Sequence, residues 1–289
     1  MKNSYLTLFL ISASAVFADP SKEASPSTAF HQNRNCISSI LSPTPPTHSW
    51  ELSDNSNDKI SMNRRTSNPN KPQGWSLNIG GTYTWMSFST PPTYSGNTGG
   101  VLGKLSYQQS DAFFGQARSY YNLGRLSSSK NKTSFHEWYS EFVGGYCFSP
   151  TKNWTITPYA GLGLDFLSDH HTGFSTIAPI KLNYAIYYAV AGLETHYTWE
   201  NWMLGLQVDC LPTFNQYLRI RSLPKAAWVL KNRTGVAVQL PFAYRYAKNF
   251  WLEFAPYYRF LPIGHSNVLG LPHRNLNQWG AFVTFRFFL

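Results

Sequence analysis

From Trp75 to Leu289 one device repeats along the chain: an apolar or aromatic residue at every second position. The closing stretch shows it most plainly. Ala281, Val283, Phe285, Phe287 and Leu289 share one parity; Gly280, Thr284 and Arg286 share the other, with Phe282 and Phe288 as apolar exceptions. Side chains of a strand alternate between faces, so this period predicts a strand with one greasy face and one mixed face.

Ten segments carry the pattern. They run about 74–89, 99–109, 111–123, 135–148, 154–167, 181–199, 202–211, 234–247, 250–262 and 277–289. The outward set includes Trp75, Leu77, Ile79, Tyr83 and Trp85 in the first and Leu252, Phe254, Pro256, Tyr258 and Phe260 in the ninth. In 181–199 both faces are apolar and the parity stays open. Pro158 and Pro256 sit badly in central strands, where a missing N–H breaks a ladder unless a bulge absorbs it. The connections alternate without exception. Gln109-Ser110, Ser149 to Asn153, Glu200-Asn201 and Lys248-Asn249 are short; 90–98, 124–134, 168–180, 212–233 and 263–276 are long. Short turns at one end, long loops at the other and no apolar helix long enough to span lipid predict an all-β, closed antiparallel transmembrane barrel of about ten strands, with eight or twelve as the neighbouring even numbers.

Composition agrees. The chain is 17% aromatic and only 13% charged, against ~25% charged in ordinary soluble domains. Lys2, the apolar run Tyr5 to Ile11 and Val16-Phe17-Ala18 predict a signal peptide over 1–18. Residues 19–73, rich in Ser, Pro, Asn and Thr, predict a flexible periplasmic segment. The barrel is expected to occupy 74–289. Three cysteines build no disulfide framework; no Cys147–Cys210 bridge is expected, and a cross-link from Cys36 stays open.

The apolar alternation ending on Val283, Phe285, Phe287 and Leu289 resembles the C-terminal assembly signal of bacterial outer-membrane β-barrels, with Leu in place of the usual terminal Phe. That resemblance implies an outer-membrane location, both termini periplasmic, the barrel-assembly machinery as a partner, and contact with outer-membrane lipid and lipopolysaccharide. It implies no cofactor.

Inward parity assigns a set of lumen charges. Glu137, Glu141, Asp165, Glu194 and Asp209 form an acidic wall, joined by His196. Lys104, Arg118, Arg245, Arg259 and Arg286 flank the seam where the last strand closes on the first, with Glu253 among them. Two readings stay open: a transverse field across a narrow porin-like pore, or a salt-bridged plug, since small barrels are filled by their own side chains. Trp75, Trp154, Trp199, Trp202 and Trp251 lie beside the short turns and predict an aromatic girdle. The formal net charge is +10. Part of it is concentrated in 212–233, where Arg219, Arg221, Lys225, Lys231 and Arg233 predict a basic surface loop for lipopolysaccharide phosphates or, as an adhesin, for anionic polysaccharide. Arg125, Lys130 and Lys132 mark a second basic loop. No nucleic-acid motif accompanies the charge.

Enzyme motifs match poorly. Asp169-His170-His171 contains the Asp-x-His of the omptin surface proteases without their carboxylate pair. His265-Ser266-Asn267 lacks the spacer of the His-x-Ser-Asn motif of lipid A deacylases. The expectation is a barrel that is not an enzyme and holds no metal.

Overall fold

The computed structural model describes residues 73–89, 93–128, 132–172, 180–220, 227–265 and 274–289. The expected signal peptide at 1–18 and the segment 19–73 apart from Gln73, Cys36 included, lie outside the described residues. The strands are β1 (Gly74–Phe88), β2 (Tyr94–Gln108), β3 (Ala112–Ser127), β4 (Lys132–Cys147), β5 (Trp154–Thr172), β6 (Ile180–Trp199), β7 (Trp202–Ile220), β8 (Ala227–Val229), β9 (Thr234–Gln239), β10 (Phe242–Ala247), β11 (Phe250–Ile263) and β12 (Arg274–Phe288).

Every neighbouring pair is antiparallel, and the sheet closes. β12 pairs with β1 from Ser76↔Phe288 to Phe88↔Leu276. The last residue is fastened as well: Leu289 N donates to Trp75 O at 3.0 Å. Closure of β12 on β1 joins the two ends of the sheet, the condition for a wall in hydrocarbon.

β9 and β10 share one place in the wall, between β7 and β11, and the three-residue β8 extends it along β7. The wall therefore has ten positions. The break between β9 and β10 falls at Pro241, which has no N–H to give. It lies opposite Ala255 and Pro256, because Gln239 pairs with Tyr257 and Phe242 with Phe254. The awkward Pro256 is thus accommodated where the neighbouring strand is itself interrupted. Leu240 N still donates to Pro256 O at 2.9 Å and Gly205 N to Pro241 O at 2.7 Å, which keeps the wall joined.

The strands run further than the sequence predicts. β2 begins at Tyr94, β3 continues to Ser127, β5 to Thr172 and β7 to Ile220. Much of each expected long loop is therefore wall. Of the basic loop expected at 212–233, Arg219 belongs to β7, Lys231 and Arg233 are exposed between β8 and β9, and Arg221 and Lys225 lie outside the described residues. A bulge at Phe214 explains part of the miss. Tyr187 pairs with Asn215 but Tyr188 with Thr213, so the parity of β7 flips there.

Outside, two bands of aromatic residues ring the barrel. At the turn end stand Trp75, Trp154, Trp199 and Trp202. A second band, missed in the sequence, contains Trp85, Tyr121, Trp138, Phe166, Tyr258 and Trp279. Trp75 and Trp85 share a face ten positions apart. At ~3.3 Å per residue and a tilt near 40°, the bands stand ~25 Å apart, the height of the apolar band of outer-membrane barrels.

Beyond the second band the polarity of the wall inverts. Outward positions become Ser87, Asn97, Arg125, His136, Ser168, Asn183 and Asn277. Inward positions become Phe88, Tyr94, Leu126, Phe135, Leu167, Leu218, Leu261 and Leu276, all buried in one apolar cluster. Between the bands the wall is greasy outside and polar inside; past them it is built like a water-soluble barrel. This inversion is what a wall crossing from lipid into water requires.

Candidate functional site

The inward positions between the two bands form a packed, charged interior. Its centre is Arg259 on β11. The guanidinium Nη1 donates to Glu137 Oε1 on β4 at 3.2 Å, and Nη2 lies 2.7 Å from Asp165 Oδ2 on β5. Gln278 Nε2 donates to the same Glu137 oxygen at 2.8 Å, and Asn122 Nδ2 donates to Oε2 at 3.1 Å. Glu137, Asp165 and Gln278 are fully buried. Charges this dry are tolerated only when paired and hydrogen-bonded.

A second group surrounds Arg118 on β3. Nη2 donates to Glu141 Oε1 at 3.2 Å and to Tyr139 Oη at 3.0 Å, while Nη1 reaches Gln239 on β9 at 3.1 Å. Both arginines stand within cation–π range of the Tyr139 ring, Arg118 at 5.3 Å and Arg259 at 4.9 Å. Asp209 accepts from Tyr159 Oη and from Gln207 Nε2, the latter at 2.8 Å.

A third group gathers on Glu253. Lys104 Nζ stands 3.7 Å from Oε1, and Arg286 Nη2 bonds Oε2. His196 Nε2 lies 2.8 Å from Glu194 Oε1. Of the expected basic set, Arg259 reaches the acidic set across the lumen and Arg118 meets Glu141 on the neighbouring strand, whereas Lys104 and Arg286 meet on Glu253 and Glu194 meets His196 of its own strand. Arg245 does not join them, which corrects its assignment to the lumen. It has inward parity but stands past the turn-end aromatics, where Nη2 donates to Asn201 Oδ1 at 2.8 Å and its backbone N to Asn201 O at 2.7 Å. It clamps the Glu200-Asn201 turn.

Aromatic rings fill the remaining space. Tyr120 stacks on Tyr139 at 4.5 Å and Tyr257 on Phe282 at 4.4 Å. Tyr188, Tyr159 and Tyr257 fold over cross-strand glycines, since a Cβ on Gly163, Gly192 or Gly280 would come within 2.3, 2.4 or 2.8 Å of those rings. Trp251 corrects the girdle assignment. It is 2% exposed and packs inside with Met203, Ala243 and Phe288, closing the turn end. Its parity is opposite to that of Leu252 and Phe254, a signal its position beside a turn masked.

The histidine motifs do not assemble. Asp169 is on β5 rather than in a loop, faces inward and accepts from Thr133 Oγ1. His170, next to it on a strand, points to the other face. Ser266 and Asn267 lie outside the described residues. Among the described residues no cluster of three His, Cys, Asp or Glu could hold a metal ion. Cys147 is free and buried, Cys210 free and exposed.

This architecture defines a class: the closed antiparallel barrels of the bacterial outer-membrane type. No protein-family model matches the chain, and no curated protein is significantly similar. Among solved structures it is similar to the outer membrane protease OmpT from Escherichia coli, with 8% identity, a TM-score of 0.53, and 76% of this chain and 98% of that one covered. It is more loosely similar to the translocator domain of the autotransporter NalP from Neisseria meningitidis, with 8% identity, a TM-score of 0.44 and 75% and 89% covered. The attachment invasion locus protein Ail of Yersinia pestis follows, with 10% identity, a TM-score of 0.33 and 75% and 100% covered. At these identities the likeness establishes the fold. It also corrects the expectation of a non-enzymatic barrel: the same architecture carries a protease in OmpT, so enzymatic status is open.

Proposed function

We propose that this chain is an integral outer-membrane barrel with both termini on the periplasmic side, whose lumen is sealed at rest. Its role is that of a rigid scaffold, carrying a water-exposed collar of strand ends above the outer leaflet. The observation that carries the reading is Arg259, held across the lumen by Glu137 and Asp165, with an apolar core between it and the loop end. Two aromatic bands at membrane spacing and the inversion of wall polarity support the location.

Planar-bilayer recording of the refolded protein tests the seal. The wild type is expected to stay quiet. Discrete wild-type openings that change with Glu141→Ala would overturn the sealed reading in favour of a porin-like passage for small polar solutes. A second reading, adhesion to anionic polysaccharide, draws on the exposed Lys231 and Arg233. Retention on a heparin-like polymer that disappears in Lys231→Ala/Arg233→Ala would support it.

A further inference from the structure

The outward face of β3 to β7 is organised in rows by its register. The first row is Tyr121, Trp138, Phe166, Ala185 and Tyr217, each paired directly with the next. It belongs to the second aromatic band, and Trp138 stacks on Phe166 at 5.5 Å. Two positions further toward the loops the row is Leu123, His136, Ser168, Asn183 and Arg219. Two positions further again it is Arg125, Ser134, His170 and Lys181. Arg125 and Arg219 are exposed and Lys181 is half-buried. Among the described residues, no Asp or Glu stands on this outward face beyond the aromatic row.

The opposite arc differs. Beyond Trp85, Trp279 and Tyr258, the outward positions of β1, β2, β11 and β12 are Ser87, Ser95, Asn97, Phe260, Asn275 and Asn277, without a charge. Among the described residues of these two arcs, the outward cations stand on β3 to β7 and point sideways, in the plane of a membrane.

We propose that this face of β3 to β7 binds a lipid with a phosphorylated headgroup, its phosphates on Arg125, Lys181 and Arg219 and its chains on the Tyr121–Trp138–Phe166 row. The inference rests on the membrane reading above and assigns the site and its ligand chemistry. The levels fit. An aromatic band marks the boundary between hydrocarbon and headgroups. Each two-residue step raises the wall by ~5 Å, from ~3.3 Å per residue and the strand tilt. Along its own strand Arg219 stands two residues past Tyr217 and Arg125 four past Tyr121, ~5 and ~10 Å above those rings and at headgroup depth, and Lys181 adjoins Arg219 diagonally through Asn183. Tyr121 Oη and His136 Nδ1 lie 3.0 Å apart, tying the apolar row to the polar one.

The test uses the full protein refolded into phosphatidylcholine vesicles, with or without a bis-phosphorylated disaccharide lipid, followed by native mass spectrometry of retained lipid. The wild type is expected to retain the phosphorylated lipid and to discriminate against its dephosphorylated form. Cations at a membrane surface contribute about fivefold each, so Arg125→Ala/Lys181→Ala/Arg219→Ala is expected to bind on the order of 100-fold more weakly. Lys152→Ala/Lys248→Ala, which removes cations at the turn end, is expected to bind as wild type. Equal retention of both lipids, or a triple variant that is folded and unaffected, would overturn the proposal. So would complete competition by millimolar inorganic phosphate, since a lipid site also depends on its chains. Failure to insert into any vesicle would defeat the membrane reading instead.

Discussion

Arg259 Nη1 and Glu137 Oε1 meet at 3.2 Å although 122 residues separate them in the chain. β11 and β4 face each other across the barrel, so this contact spans the lumen rather than joining neighbouring strands. Removing the guanidinium strands two buried carboxylates, Glu137 and Asp165. Arg259→Met is expected to destabilise the barrel by about 3–5 kcal/mol, the usual result of breaking one side of a buried ion pair. Adding Glu137→Gln and Asp165→Asn is expected to restore part of the loss. Urea unfolding in detergent micelles, followed by gel mobility, measures both. A single variant as stable as wild type would mean that this contact does not hold the lumen shut.

Trp251 and Trp75 are both near the turn end but differ in what surrounds them: Trp251 is 2% exposed and Trp75 52%. Quenching by bromine-labelled lipid should separate them. Trp75→Phe is expected to reduce the lipid-quenchable fluorescence, and Trp251→Phe to leave it unchanged. Trp251→Ala is expected to lower stability by about 3–5 kcal/mol, as for a large buried aromatic. Loss of quenching in Trp251→Phe would put that residue back in the girdle.

Gly163 and Tyr188 are direct cross-strand partners, and the ring lies where a Cβ would stand. Gly163→Ala is expected to cost about 1–3 kcal/mol as the ring is pushed from its place. In Tyr188→Ala the same change should cost less, because the displaced ring is gone. A double-mutant cycle on unfolding midpoints reads the coupling; strictly additive losses would show that ring and glycine do not interact.

These contacts differ in how legible they were in the sequence. A strand alternates strictly, so parity alone sends Glu137, Asp165 and Arg259 to the same interior and Leu252 to the other side. It does not say that Arg259 reaches Glu137, because closure and stagger decide which strands face each other. Where the interior becomes apolar, around Ile186 and Tyr188, both faces of β6 look alike and parity gives no direction. Past the second aromatic band the pattern inverts. Segments such as Tyr94 to Thr98 or Ser168 to Thr172, polar where a lipid-facing strand would be apolar, resemble loops while they extend the wall. Trp251 differs for another reason: it sits beside a turn as the girdle residues do, while its parity is opposite to that of Leu252 and Phe254. The Phe214 bulge leaves no mark that composition could reveal.

One position of the wall, between β7 and β11, is shared by two short strands. β9 and β10 are six residues each and are separated by Leu240 and Pro241, whereas β5 and β6 pair without a break from Trp154↔Tyr197 to His171↔Ile180. Local opening needs fewer bonds to break at an interrupted ladder, and amide exchange reports that opening directly. Amides of Thr234–Ala247 are therefore expected to exchange faster than those of Tyr184–Tyr197 when the folded protein in micelles is placed in deuterated buffer. Replacing Pro241 by Ala restores a donor. The restored N–H would face the Gly205 carbonyl, the reciprocal of the Gly205 N to Pro241 O bond, so Thr234–Ala247 should slow while the rest of the wall is unchanged. Uniform protection around the whole barrel in the wild type would show that the backbone bonds of Gly205 and Leu240 already make this seam as firm as the other staves.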